Sequence, residues 1–147
     1  MTRSAALIDF ENIVFDARSP TPYDPTIATH RINQVRQVTD HMLCTIAIQT
    51  TLAKRYLPLL SGGANLLFVD HVPDAADEAL MATAHDYLNL GVTDLVIASG
   101  DHRFADLAPA ANLHVLSIKG ATSTALTMAA TTTIHLNPYP TPTRKAA

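Results

Sequence analysis

The chain has no tryptophan, one cysteine and only five glycines among its 147 residues. A lone cysteine rules out an intrachain disulfide framework and points to a reducing compartment, here taken as the cytoplasm. Cys44 lies in the apolar run Leu43-Cys44-Thr45-Ile46-Ala47-Ile48, where it reads as a small buried hydrophobe rather than a nucleophile. No apolar stretch is long enough to span a membrane, and no signal peptide is expected ahead of the first strand. Glycine is equally telling by its scarcity. No Gly-x-Gly-x-x-Gly follows the first strand, and no Gly-Lys-Ser/Thr follows Gly62-Gly63, which argues against the usual dinucleotide and P-loop sites. The seven histidines form no i, i+4 pair and have no cysteine partner for zinc. The ten basic residues are scattered and the formal charge is −3. A non-specific duplex binder would carry a basic face; an enzyme whose bound cations offset substrate charge would not need one.

What is present is a globular composition, 48% hydrophobic, in a chain long enough for one domain with a real core. Apolar runs alternate with helical patterns. Strands are expected at 4–9, 43–49, 64–69, 93–99, 113–118 and 132–136. Helices are expected at 25–41, opened by Asp24-Pro25, and at 51–60, 74–90, 102–111 and 122–130. Residues 10–23, with Pro20 and Pro22, read as a loop too broken for a helix. Gly91 marks a helix end. The tail beyond Asn137, rich in proline, reads as a loose or extended arm. Alternation of this kind predicts a parallel sheet covered on both faces. The near-continuous apolar runs at the first and fourth strands place those two at its centre.

Three aspartates sit just after such strands. Asp9 ends Ala5-Ala6-Leu7-Ile8, Asp77 follows Leu66-Leu67-Phe68-Val69 at a helix start, and Asp101 closes Leu95-Val96-Ile97-Ala98-Ser99-Gly100. Ligands of open parallel sheets bind outside the carboxyl ends of the strands, so carboxylates from separate strands can converge there. Such an edge suits Mg²⁺ or Mn²⁺, which take oxygen ligands. Each acid also has a plainer role. Asp74 is an N-cap candidate, Asp77 and Glu78 complement a helix dipole, and Asp101 can cap the helix from His102. Asp9, with Glu11 and Asn12 close behind, needs polar partners if buried. Ser123 and Thr124 open the final helix near the same edge, where capping explains them.

The ordered set Leu7-Ile8-Asp9-Phe10-Glu11-Asn12-Ile13, Ala76-Asp77-Glu78-Ala79-Leu80 and Ser99-Gly100-Asp101 with Phe104 resembles the NYN domain, a branch of the PIN-like nuclease superfamily. The resemblance spans residues 4–136 and assigns 1–137 to the domain and 138–147 to a tail. It implies a three-layer PIN-like, Rossmann-like parallel sheet of order 3-2-1-4-5 with helices on both faces. It also implies metal-dependent cleavage of RNA, single-stranded in this reading, with a homo-oligomer left open. Asp9, Asp77 and Asp101 would be the catalytic and metal-binding acids, for Mg²⁺ or Mn²⁺. Asn12, Ser99 and Arg103 would contact substrate or orient the carboxylates.

The chain departs from the family pattern at two acids and a lysine. Arg103 stands where many relatives have a second acid, Thr83 where many have another aspartate, and His71-Val72-Pro73 where a lysine is frequent. Arg103 would either grip a phosphate or neutralise Asp101 in place of a metal. Two other readings therefore stay open. One is a degenerate, non-catalytic NYN fold that binds RNA or protein; the other is a phosphotransferase with Asp9 as nucleophile, which lacks the Asp-x-Asp/Thr pattern of that chemistry.

Overall fold

The computed structural model describes residues 3–14, 25–60 and 62–137. Its elements in order are β1 (Ser4–Asp9), α1 (Phe10–Val14), α2 (Pro25–Thr39), β2 (Leu43–Gln49), α3 (Thr50–Leu60), β3 (Asn65–Val69), α4 (Ala75–Asn89), β4 (Asp94–Ala98), a 3₁₀ helix (His102–Leu107), β5 (Asn112–Ile118), α5 (Thr124–Ala129) and β6 (Thr132–Leu136). The six strands form one sheet in the order β3-β2-β1-β4-β5-β6, every neighbouring pair parallel. This is the expected order, extended by β6 beyond β5. Among the described residues no helix is long and apolar enough to cross a membrane.

β1 is central because both of its faces are apolar. Ala6 and Ile8 pack with Ile32 and Val35 of α2 and Tyr56 of α3. Ala5 and Leu7 pack on the other side with Leu80 and Ala84 of α4. The result is three layers, with α1, α2 and α3 on one face and α4, the 3₁₀ helix and α5 on the other. The two sheet edges are more exposed, with Phe68 in β3 and Ile134 in β6 each about half accessible. Such rows of side chains mark edge strands.

The helix faces follow their sequence periods. In α2 the buried positions are Ala28, Arg31, Ile32, Val35 and Thr39, spaced by three and four. Val38 is exposed, because it falls one residue short of Thr39 on that stripe. α4 turns Asp77, Leu80 and Ala84 inward and ends as expected at Gly91, φ 90°. There the Gly91 N–H donates to Leu88 O and the Val92 N–H to Tyr87 O, the paired bonds of a Schellman cap.

Two local expectations are corrected. Residues 10–23 do not begin as a loop: Phe10–Val14 is a short helix that starts directly from β1. Phe10, Ile13 and Val14 are buried, and Phe10 packs against Tyr56 with ring centroids 5.1 Å apart. Burial of these apolar residues against α2 and α3 outweighs the weak local propensity of five residues. Asp74 does not cap α4; it adopts φ 68°, ψ 2° and its side chain makes no capping bond. Residues 15–24, including the expected cap Asp24, and 138–147 of the tail lie outside the described residues.

α1 is tied to α2 by a fully buried arginine. Arg31 Nη1 donates to the carbonyls of Ile13 (3.2 Å) and Val14 (3.4 Å), groups that a five-residue helix leaves without intrahelical partners. Truncating it strands buried carbonyls and opens a cavity. Arg31→Ala is expected to lower stability by about 3 kcal/mol in urea unfolding, with the loss of α1 seen as faster amide exchange of Ile13 and Val14.

Candidate active site

β1 runs straight into α1, so Asp9 is both the last residue of the strand and the cap of the helix. Its Oδ1 accepts the Asn12 backbone N–H at 3.4 Å, a long contact that orients more than it stabilises. β4 is the neighbour of β1 on one side and β2 on the other. Since β1 leads to β2, the strand order reverses between β1 and β4, the place where open α/β sheets bind ligands.

The loop after β4 is fixed against that point by three bonds. Gly100 N–H donates to Asn12 Oδ1 at 3.0 Å, Asp101 N–H donates to Ser99 Oγ at 3.2 Å, and Ser123 N–H donates to Gly100 O at 2.9 Å. Asn12 thus ties the end of β1 to the end of β4. Ser99 is fully buried and supports the Asp101 backbone. Gly100 is required by crowding: a Cβ there would overlap the carbonyl oxygen of Ala121 and come within 3.1 Å of Thr122 Cα. Asp101 caps the 3₁₀ helix, its Oδ1 accepting Arg103 N–H at 2.9 Å, and His102 Nδ1 lies 3.7 Å from the same oxygen.

Asp77 arrives from the first turn of α4, which packs across β1 and β2. It is the hub of the carboxylates. The charges of both Asp101 and Asp9 act on its carboxyl, and Asp9 and Asp77 are only 7% and 6% exposed. Burial pushes Asp9 up to about 6, helped by the charges of Glu11 and Asp101 and opposed by the Asn12 N–H. Burial and then the negative charges of Asp101 and Asp9 push Asp77 up to about 7. A helix N-terminus favours an ionised carboxylate by about 0.3–1 kcal/mol. Desolvation and like charge plainly outweigh it here. Near neutral pH Asp77 is poised to carry the proton that lets three acids sit together.

Glu11, from α1, is a fourth acid at this edge. One of its carboxylate oxygens is buried without a hydrogen-bond partner, and burial raises its pKa against the opposing charge of His71. The sequence signal was the acid two residues beyond a strand-end aspartate, to which no role was attached. The second residue that sequence reasoning misplaced is Asp74. Its Oδ2 stands 2.7 Å from Arg103 Nη2, so Arg103 neither chelates Asp101 nor lies free. That ion pair raises the guanidinium pKa, with Asp77 and Asp101 adding smaller contributions. Thr83 donates its hydroxyl back to Ala79 O at 3.0 Å.

The donor set is all oxygen, as a hard divalent cation requires, and two of its carboxylates are buried against their own repulsion. Bound cation would relieve that repulsion. Among the described residues no three His, Cys, Asp or Glu side chains form a ready-made metal cluster. Asp9 and Asp101 act on the charge of Asp77 without the three closing around a point, so water would have to complete the shell of any cation held here.

The pH dependence follows with a definite sign. Asp9 and Asp77 have folded pKa values above the ordinary 3.8, so between about pH 4 and pH 7 the folded state binds more protons than the unfolded one. Stability in metal-free buffer therefore falls as pH rises through that window. For Asp9 the rise from 3.8 to about 6 corresponds to about 3 kcal/mol between the two protonation states. Asp77→Asn is expected to flatten this slope and to stabilise the metal-free protein at pH 8 by ~1–3 kcal/mol, measured by urea unfolding with EDTA at a series of pH values. Gly100→Ala is expected to have the opposite effect, a loss of ~1–3 kcal/mol by overpacking at the Ala121 carbonyl.

No protein-family model and no curated protein matches the sequence. Among solved structures the chain is similar to a crystal structure of a protein of unknown function from Vibrio parahaemolyticus. The two are 13% identical, with a TM-score of 0.66 over 92% of this chain and 94% of that one. The likeness is one of fold: a six-stranded, all-parallel, three-layer Rossmann-like sheet flanked by helices.

Proposed function

We propose that this chain is a metal-dependent ribonuclease of the NYN type, acting on single-stranded RNA in the cytoplasm. The observation that carries the reading is the meeting of Asp9, Asp77 and Asp101, from three separate segments, at the switch point of the sheet. Two of the three are buried with raised pKa values. A fold gains nothing in packing from gathering like charges, so the arrangement fits a site that binds a cation.

In this reading Asp9, Asp77 and Asp101 hold one Mg²⁺ or Mn²⁺, which supplies a lowered pKa for bound water and charge stabilisation at the phosphate. Asn12 holds Asp9 and the Gly100 loop in register, and Ser99 fixes the backbone of Asp101. Arg103, at the mouth of the cluster, offers a guanidinium suited to a phosphodiester oxygen. His102, beside Asp101 and largely exposed, lies at the rim of the same site.

A second reading is favoured by a different observation. Thr83 and Arg103 stand where relatives carry acids, and the hydroxyl of Thr83 is committed to its own helix. On this reading the chain is a degenerate NYN fold that binds RNA or protein without cleaving.

Asp9→Asn separates the two, since it removes a charge and keeps the shape. The ribonuclease reading expects Mn²⁺-dependent cleavage of single-stranded RNA by wild type and a loss of ~10³-fold or more in the variant, with unchanged circular dichroism. Equal residual cleavage by both proteins would end the enzyme reading. Cleavage by Arg103→Asp alone, with an inactive wild type, would establish the degenerate reading.

A further inference from the structure

Asp74 is the one non-glycine residue with positive φ among those described, at φ 68° and ψ 2°. An L-residue adopts that conformation at a cost, and such strain persists where the surroundings hold it in place. Its position before α4 would ordinarily be a cap, yet the carboxylate caps nothing. It faces Arg103 instead, at 2.7 Å. Arg103 comes from the opposite side of the site, two residues beyond Asp101, and its guanidinium also feels the charges of Asp77 and Asp101. A long flexible cation beside three carboxylates has an obvious alternative place to go, onto the carboxylates themselves.

We propose that Asp74 is a positioning residue that holds the Arg103 guanidinium off Asp77 and Asp101, keeping the carboxylate cluster open to a single divalent cation. The inference rests on the metal-binding reading above and adds a residue to it. Without Asp74 the guanidinium collapses onto Asp77 and Asp101 and competes with the metal as a built-in cation. With Asp74 it stays at the rim, repelling a second metal weakly while remaining available to a substrate phosphate. The same pair explains how the chain tolerates an arginine where an acid stands in relatives: the positive charge is balanced by a carboxylate outside the cluster.

Opposite effects of two substitutions test this. Asp74→Gly removes the carboxylate and suits the backbone conformation, since glycine takes positive φ freely; Asp74→Asn is the second variant, tolerated there for the same reason. Mn²⁺ binding is titrated by calorimetry on the RNA-free full chain. Wild type is expected to bind one Mn²⁺. Arg103→Gln is expected to bind it about tenfold more tightly and either Asp74 variant about tenfold more weakly. The double variant Asp74→Gly/Arg103→Gln is expected to match Arg103→Gln alone, because Asp74 acts only through the arginine. A merely structural Asp74 would lower stability and leave Mn²⁺ affinity where it was. That result, with wild type binding Mn²⁺, overturns the inference and leaves the metal reading standing. Absence of Mn²⁺ binding in both wild type and Arg103→Gln overturns the metal reading, and this inference with it.

Discussion

Burying Asp9 beside Asp77 is the constraint around which the rest of the molecule is arranged. A carboxylate taken from water into a protein edge is held there only if something over-determines its place. Here that something is the sheet. β1 is sealed on both faces by α2, α3 and α4, so its last residue has no freedom to turn to solvent. α4 is pinned across β1 and β2 by Leu80 and Ala84, which carries Asp77 to the same spot. The apolar core thus sustains an electrostatic arrangement that the acids would not adopt by themselves.

The loop connections carry the same logic to the third acid. Gly100 lets the chain after β4 press against the Ala121 carbonyl and the turn at Thr122, where Ser117 and Thr122 hydroxyls meet. Asn12 joins this loop to the β1–α1 junction through the Gly100 N–H. The spelling Asp-x-x-Asn therefore has a mechanical meaning in this chain. Its aspartate belongs to the charge cluster, and its asparagine is a strut between two strands that are neighbours in space and far apart in sequence.

Charge balance at the site is unusual in its distribution. Asp77 can relieve the cluster by holding a proton near neutral pH. Arg103 brings a positive charge close, yet its strongest partner is Asp74, outside the cluster. The acids therefore remain under-compensated by neighbouring positive charge. Away from the site, the Asp94 carboxylate lies 2.9 Å from His114 Nε2. Asp94 is held below its usual range by its hydrogen bond to His114, whose other ring nitrogen meets Thr132 at 2.8 Å; these contacts cross-link β4, β5 and β6.

Most of the architecture was legible in the sequence because it is written in short-range periods. The apolar run of β1, the three-and-four spacing of α2 and the glycine after α4 each depend on residues within one element, and hydrophobic burial rewards them wherever the element lands. β2 and β6 fell at their expected bounds for that reason. α1 was not legible: its five residues carry too little local preference, and only the packing of Phe10 on Tyr56 and the Arg31 bonds to Ile13 and Val14 make them a helix. Asp9 was legible at a strand end, Asp101 just after a strand and Asp77 at a helix start, but their state was not. The raised pKa values, the hub position of Asp77 and the diversion of Arg103 to Asp74 arise from groups tens of residues apart brought within a few ångströms. The sequence by itself determined which side chains are available at the sheet edge and in what order the strands deliver them. Only the tertiary structure decided which of them share a charge, because desolvation and Coulomb energy depend on distance in space.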